Sequence, residues 1–430
     1  MKKILSIALV ALLAASTVFA GISGDASVSL GYDTTSKAYG ITNDSGVTAK
    51  IELATEEVEK VAEGDIFAGI KATMSLLVAT SKEPGKPNLI ANSTHGIGLL
   101  LSVDEAYVAG SNWKLSILST KGAPDYAKSA IDTVKTGNVY DDFGYAYKKK
   151  YVPVSYSVSA WKAAGVTFTY DGYTVAGGFK GSAVKDAEVF NFNFFVESKA
   201  FEFEGGSAQV AAIVATDKDD SKKINAGLSA KASYAQDELS ASVAADFGLE
   251  NFSDLKFKCD TALKVAYNPV TLDVYFKHVG DEDNLLSAKV SASFEKVSGS
   301  VYAKDILTED SRTIGGSVET TIDAFTVDAN AEIVLKSKAF SAGANVKYAA
   351  EKFTAKAGVE FGMIFGTEKS TYLAASASIS SEAIIPGATL SLAYGQDSAY
   401  NDVNFLKDQT ASVRAAQNFG AITATCKIAF

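Results

Sequence analysis

Along the second half of the chain, apolar and polar residues alternate one for one. Phe353, Ala355, Ala357, Val359 and Phe361 interleave with Thr354, Lys356, Gly358, Glu360 and Gly362. Phe340, Ala342, Ala344, Val346 and Tyr348 interleave in the same way with Ser341, Gly343, Asn345 and Lys347. The period of two recurs through Leu286 to Phe294, Phe257 to Tyr267 and the last ten residues, where Ile422, Ala424, Cys426, Ile428 and Phe430 share one phase. Such a period sends successive side chains to opposite sides of an extended strand. A helix would instead set Lys356 and Glu360 on one face with apolar positions all around them. Further segments near 224–234, 239–247, 271–279, 298–306, 313–322, 325–335, 371–381, 388–394 and 409–418 read alike. The pattern predicts roughly fourteen strands after residue 220, each near the ~9–11 residues of a tilted membrane strand.

Soluble sandwiches alternate too, so two further features decide. The apolar phase often begins and ends on an aromatic, as with Phe353 and Phe361 or Phe340 and Tyr348, and membrane barrels carry aromatic girdles at both interfaces. The other phase mixes Lys, Glu, Asp, Ser, Thr, Asn and Gly, as a wet lumen would. Connections also alternate in length. "AQDE" at 235–238, "NPV" at 268–270, "DA" at 323–324 and "FG" at 419–420 are short, whereas "GLENFSD" at 248–254, "IFGTEKS" at 364–370 and the stretch 395–408 are long. The predicted fold is all-β, a large antiparallel up-and-down transmembrane β-barrel of roughly 16–24 strands. One conflict stands: if Phe430 ends at the periplasmic rim, a turn at 419–420 sends the long loops to that same rim. Either a strand is miscounted or the sidedness is inverted.

The first half is less regular. "GDASVSLGYD", "GVTAKIELAT", "WKLSILST", "VPVSYSVSAW", "VTFTYDGYTVAGGF" and "VFNFNFFVES" read as strands. Residues 121–150 are rich in charge and Gly and alternate little. A solvated loop is the plainest reading, with a lumen plug or part of an N-terminal subdomain as the others. One barrel over 21–430 is expected, with "TDKDDSKK" near 220 as the boundary should 21–220 form a subdomain.

The N-terminus adds a compartment. Lys2 and Lys3, an apolar run from Ile4 and the small-residue site Val18-Phe19-Ala20 make residues 1–20 a secretory signal peptide, cleaved between Ala20 and Gly21. The leader takes two lysines with it and leaves a net charge of about −12, which argues against nucleic acid as a partner. Cys259 and Cys426 are the only cysteines, so a stapled small-domain scaffold is excluded and a single disulfide stays open. With His95 and His278 as the only histidines, and no nucleophile elbow, phosphate loop or zinc-protease motif, the chain is not expected to be an enzyme or to bind a cofactor or metal.

The wet phase supplies the candidate pore lining: Lys256, Lys258, Lys264, Lys277, Lys289, Lys304, Glu319, Asp328, Glu332, Lys347, Lys356, Glu360, Arg414 and Lys427, together with Asp260, Asp273 and Glu295. Mixed charge of this kind sets a field without fixing one substrate.

The terminal aromatic Phe430 resembles the C-terminal signature of bacterial outer-membrane barrels. The leader "MKKILS", the start "GISGDASVSLGYD" and the strand style along the chain resemble the major surface (outer sheath) proteins of spirochaetes such as treponemes. That resemblance implies an abundant porin-like protein of the cell outer membrane that also touches host ligands. Its partners would be outer-membrane lipid and small hydrophilic solutes, with host matrix proteins and a homo-oligomer as further options. The alternative of a different class is an adhesin or structural surface protein that binds host ligands through its loops and needs no open pore.

Overall fold

The computed structural model describes residues 18–33, 39–41, 46–55, 63–79, 96–117, 126–131, 165–184, 187–216, 222–252, 256–280, 284–309, 311–336, 338–365, 370–395 and 421–429. These residues form strands and their connections. The first half holds β1 (Val18–Asp33), β2 (Tyr39–Ile41), β3 (Gly46–Thr55), β4 (Phe67–Ala79), β5 (Gly96–Ala109), β6 (Trp113–Ile117), β7 (Gly165–Tyr170), β8 (Tyr173–Val184), β9 (Ala187–Glu197), β10 (Phe201–Phe203) and β11 (Gly206–Thr216). The second half begins with β12 (Ile224–Gln236), β13 (Leu239–Glu250), β14 (Lys256–Tyr267), β15 (Val270–Val279), β16 (Leu285–Ser293), β17 (Val297–Lys304) and β18 (Thr313–Ile322). It ends with β19 (Phe325–Val334), β20 (Ala339–Ala349), β21 (Thr354–Ile364), β22 (Ser370–Ile385), β23 (Ala388–Gly395) and β24 (Ala421–Ala429).

Every pairing is antiparallel and, apart from β1 with β3 and β9 with β11, joins neighbours along the chain. The ladder then returns to its start, because β24 pairs with β1 over Ala421–Ala429 and Asp25–Asp33. Closure matters because it removes the unpaired edge that any open sheet carries. The three-residue strands β2 and β10 lie in line with β3 and β9: β2 and β3 both pair β1, and β9 and β10 both pair β11. Merging each with its neighbour turns the 24 strands into 22 staves, an even number that brings both chain ends to one rim.

That rim carries the short turns. Asp171-Gly172, Asp237-Glu238, Asp323-Ala324 and Pro386-Gly387 each join two strands directly. Two-residue hairpin turns demand positive φ, which Asp171 (45°), Asp237 (52°), Asp323 (51°) and Gly387 (79°) supply. The connections 217–223, 305–312 and 396–420 start and end at the opposite rim, whereas 56–66 between β3 and β4 starts and ends at the short-turn rim. This resolves the conflict over loop sidedness. The strand expected at 409–418 lies outside the described residues, and β23 pairs β24 directly. With β24 paired to β23 on one side and to β1 on the other, the start of β1 and the end of β24 lie at the short-turn rim.

The register carries one alternation phase around the whole ring. One face exposes large apolar residues on stave after stave, including Leu30, Val175, Leu228, Val243, Leu272, Val290 (48% exposed), Val301, Val318, Val359 (52%) and Leu392. A soluble protein would not leave a band of this extent uncovered. Its aromatics gather at the two ends of the staves. Phe325, Tyr348 and Phe353 cluster at the short-turn rim, with ring centroids 4.6 Å and 5.8 Å apart. Phe247 with Phe257, and Phe340 with Phe361, pair at the long-loop rim at 6.1 Å and 6.4 Å. Apolar flanks between two aromatic girdles are what a bilayer selects on the outside of a barrel.

Two expectations about the ends and the thiols meet the structure. Residues 18–20 pair with β3 at Thr55, Ala54 and Leu53, so cleavage after Ala20 would trim three residues from one ladder and leave the β1–β24 closure intact. Cys259 and Cys426 lie on β14 and β24, and both are free thiols.

Candidate functional site: the lumen face

Thirteen of the fourteen residues read from the sequence as pore lining fall on the inner phase of the wall by register: Lys256, Lys258, Lys264, Lys277, Lys289, Lys304, Glu319, Asp328, Glu332, Lys347, Lys356, Glu360 and Lys427. Asp260 and Asp273 share that phase. Arg414 and Phe430 lie outside the described residues. Glu295 does not belong to the wall, since it sits in the short turn between β16 and β17.

The inner face is uneven along the barrel axis. Toward the long-loop rim its polar residues are packed away from solvent: Asp246 (1% exposed), Asp260 (0%), Tyr275 (1%), Ser287 (0%), Thr313 and Glu332. Toward the short-turn rim Ser242, Lys264, Ser293, Glu319, Lys347, Lys356 and Lys427 are exposed.

Part of the packing toward the long-loop rim comes from a segment for which the sequence left a solvated loop, a lumen plug and a subdomain open. Residues 126–131, "YAKSAI", leave the wall after β6 and lie against the inner face. Asp246 on β13 accepts hydrogen bonds from the backbone N–H groups of Tyr126 (3.1 Å) and Ala127 (2.7 Å). The Tyr126 hydroxyl donates to Glu197 on β9 (3.1 Å), and the Lys231 ammonium sits 4.5 Å from the centre of its ring. Burial and the carboxylates of Glu197 and Asp246 push the Tyr126 phenol above its usual range, so it remains a donor. Lys289 donates to the Ala130 carbonyl at 2.8 Å, and the buried Ile131 packs with Tyr275 and Tyr302. Hydrogen bonds to an ionised partner are each worth about 1.5–3 kcal/mol, so this one carboxylate is a principal anchor.

The wall beneath the segment is cross-braced. Tyr275 donates to Asp260 (2.9 Å), Lys289 lies 3.8 Å from Asp273, and Tyr302 donates to Glu332 (2.7 Å) with Lys304 3.9 Å from the same carboxylate. Tyr302 lies across Gly315, where any Cβ would sit 2.4 Å from its hydroxyl oxygen. Tyr126, Glu197, Lys231 and Asp246 were missed as site residues. Asp246 and Lys231 left a trace in the sequence, as charged residues on the wet phase of the strands predicted at 239–247 and 224–234.

No family model matches this chain, and no curated protein matches it. Among solved structures, it is similar to a mutant of the ferric enterobactin receptor PfeA of Pseudomonas aeruginosa, at 8% identity over 96% of this chain and 81% of that one, with a TM-score of 0.48. It is also similar to a triple mutant of the Rhodopseudomonas blastica porin (13%, 96% and 100%, 0.30) and to the translocation pore of the P pilus usher PapC (7%, 96% and 99%, 0.36). The closed antiparallel barrel described above rests on this chain's own strand pairing.

Proposed function

We propose that this chain is an outer-membrane channel that passes small hydrophilic solutes through a lumen narrowed at its long-loop end by residues 126–131. The observation that carries the reading is the split of the two faces. Around a closed ring of staves, one phase is apolar between aromatic girdles and the other is polar and charged, save the apolar cluster that β8, β9 and β11 turn inward. An apolar exterior places the wall in lipid, and a charged interior is stable only where water reaches it. The inner residues of both signs, from Lys264 to Glu319 and Lys427, would give the passage a weak overall ion preference. The leader and strand style support an exported protein of the spirochaete surface-protein type, and that affiliation belongs to the same proposal.

Planar-bilayer recording of the folded protein tests it. Stepwise single-channel conductance with modest cation-to-anion discrimination is expected. Folded protein that inserts without conducting would reject the channel and favour a loop-borne adhesin.

A further inference from the structure

Beneath the 126–131 segment, facing the open half of the lumen, lies a cavity of about 380 Å³, a size that suits a small solute. Its charge is one-sided. Lys128 reaches it from the segment, Lys231 from β12 and Lys264 from β14, against the single carboxylate of Asp273. None of the three lysines forms an ion pair among the described residues, while Asp273 lies 3.8 Å from Lys289. The neighbouring carboxylates do not line the cavity. Asp246 is held by the segment's N–H groups, Glu197 by the Tyr126 hydroxyl and Asp260 by the Tyr275 hydroxyl. Gln209, Ser233 and Ser242 add neutral donors to the lining.

We infer that this cavity is a binding station for a small solute carrying an oxyanion, phosphate or carboxylate. The chemistry follows from the donors. Three lysines line a partly enclosed space from two sides, where screening by solvent is weaker than on an open surface. Each can give a charge-assisted hydrogen bond to an anionic oxygen, and the hydroxyl and amide groups can bind the remainder of a hydroxylated solute. The overall acidity of the chain does not oppose this, because charge at a cavity is set by the groups that line it. The inference rests on the channel reading and names the solute class that the channel would favour.

The test uses the whole protein folded in detergent, with inorganic phosphate and citrate as separate probes at low ionic strength. Binding is followed by titration calorimetry, and block of chloride current is followed in bilayers. Both probes should bind, and Lys231→Gln or Lys264→Gln should each weaken binding about tenfold. Asp273→Asn should tighten it several-fold, whereas Lys347→Gln, on the same face but away from the cavity, should leave it unchanged. Lys231 and Lys264 are exposed in the lumen, so their neutral variants keep the fold. Binding of only one probe would decide between phosphate and carboxylate. Absence of binding, or an equal effect of Lys264→Gln and Lys347→Gln, would overturn the site even if the pore conducts. Binding that shifts as described in a protein that never conducts would uphold the site and reject the channel.

Discussion

Ser287 and Ser293 stand on the same strand, face the same lumen and are the same residue, yet the first is fully buried and the second is exposed. The contrast repeats along β14, where Asp260 is buried and Lys264 is not, and along β20, where Ser341 is buried and Lys347 is not. In each case the buried member lies toward the long-loop rim. The period of two fixes which face a side chain joins, because it follows from strand geometry. What covers that face is a separate matter, and on β13 and β15 to β17 part of the cover is the segment 126–131.

The largest effect should come from forcing the two halves to behave alike. Ser287→Arg puts a long charged side chain into filled space and should cost about 3–5 kcal/mol, read by urea unfolding in vesicles. Ser293→Arg, on the same face of the same strand, should change stability by no more than about 0.5 kcal/mol. Equal costs would mean that the halves do not differ. Next comes removal of the anchor. Asp246→Ala leaves the N–H groups of Tyr126 and Ala127 without their acceptor and should loosen the segment by about 2–3 kcal/mol. Single-channel conductance should rise, and residue 128, substituted Lys128→Cys, should label faster. Unchanged conductance would show that the segment does not narrow the passage.

A smaller effect sharpens the picture through pH. The Tyr126 phenol is shifted upward from its ordinary value of 10.0, so its protonated form is favoured in the docked segment. Its contribution is therefore complete below pH 10 and is lost only as pH rises through the raised value. Conductance should stay flat to about that ordinary phenol value and climb above it. Tyr126→Phe should abolish the alkaline step and cost about 1 kcal/mol through the lost bond to Glu197. A step that survives in the variant would assign it to another group.

The regular half of the wall was legible in advance, and the reason is physical. From β12 onward one phase meets lipid and the other water, so chemistry alternates as strictly as geometry. The strand β11 escaped notice because Ala211, Ile213 and Ala215 make its lumen phase apolar as well, and they pack with Ala176 and Phe195 into a buried cluster. With both faces apolar, the period fades. β4, "FAGIKATMSLLVA", runs apolar with little break and was missed for the same reason. The segment 126–131 gave no signal, since its docking depends on partners 71 to 159 residues away. Neither β11 nor this segment could be read from local pattern alone.

In the barrel, one phase of the wall meets lipid and the other meets water. The direct measurement places single cysteines by Val290→Cys, Ser291→Cys, Val359→Cys and Lys347→Cys, each with Cys259 and Cys426 removed. Val290 and Val359 lie on the outer phase, and Ser291 and Lys347 lie on the inner one. Lys347 is preferred to Gly358 as an inner position, because a Cβ at Gly358 would lie 2.2 Å from the Asn345 side chain. In membranes, residues 291 and 347 should react with a small water-soluble thiol reagent, while 290 and 359 resist it and their attached fluorophores are quenched by a lipid-borne spin label. Equal reaction at all four positions, or lipid quenching at none of the outer ones, would contradict the membrane barrel and the channel built on it.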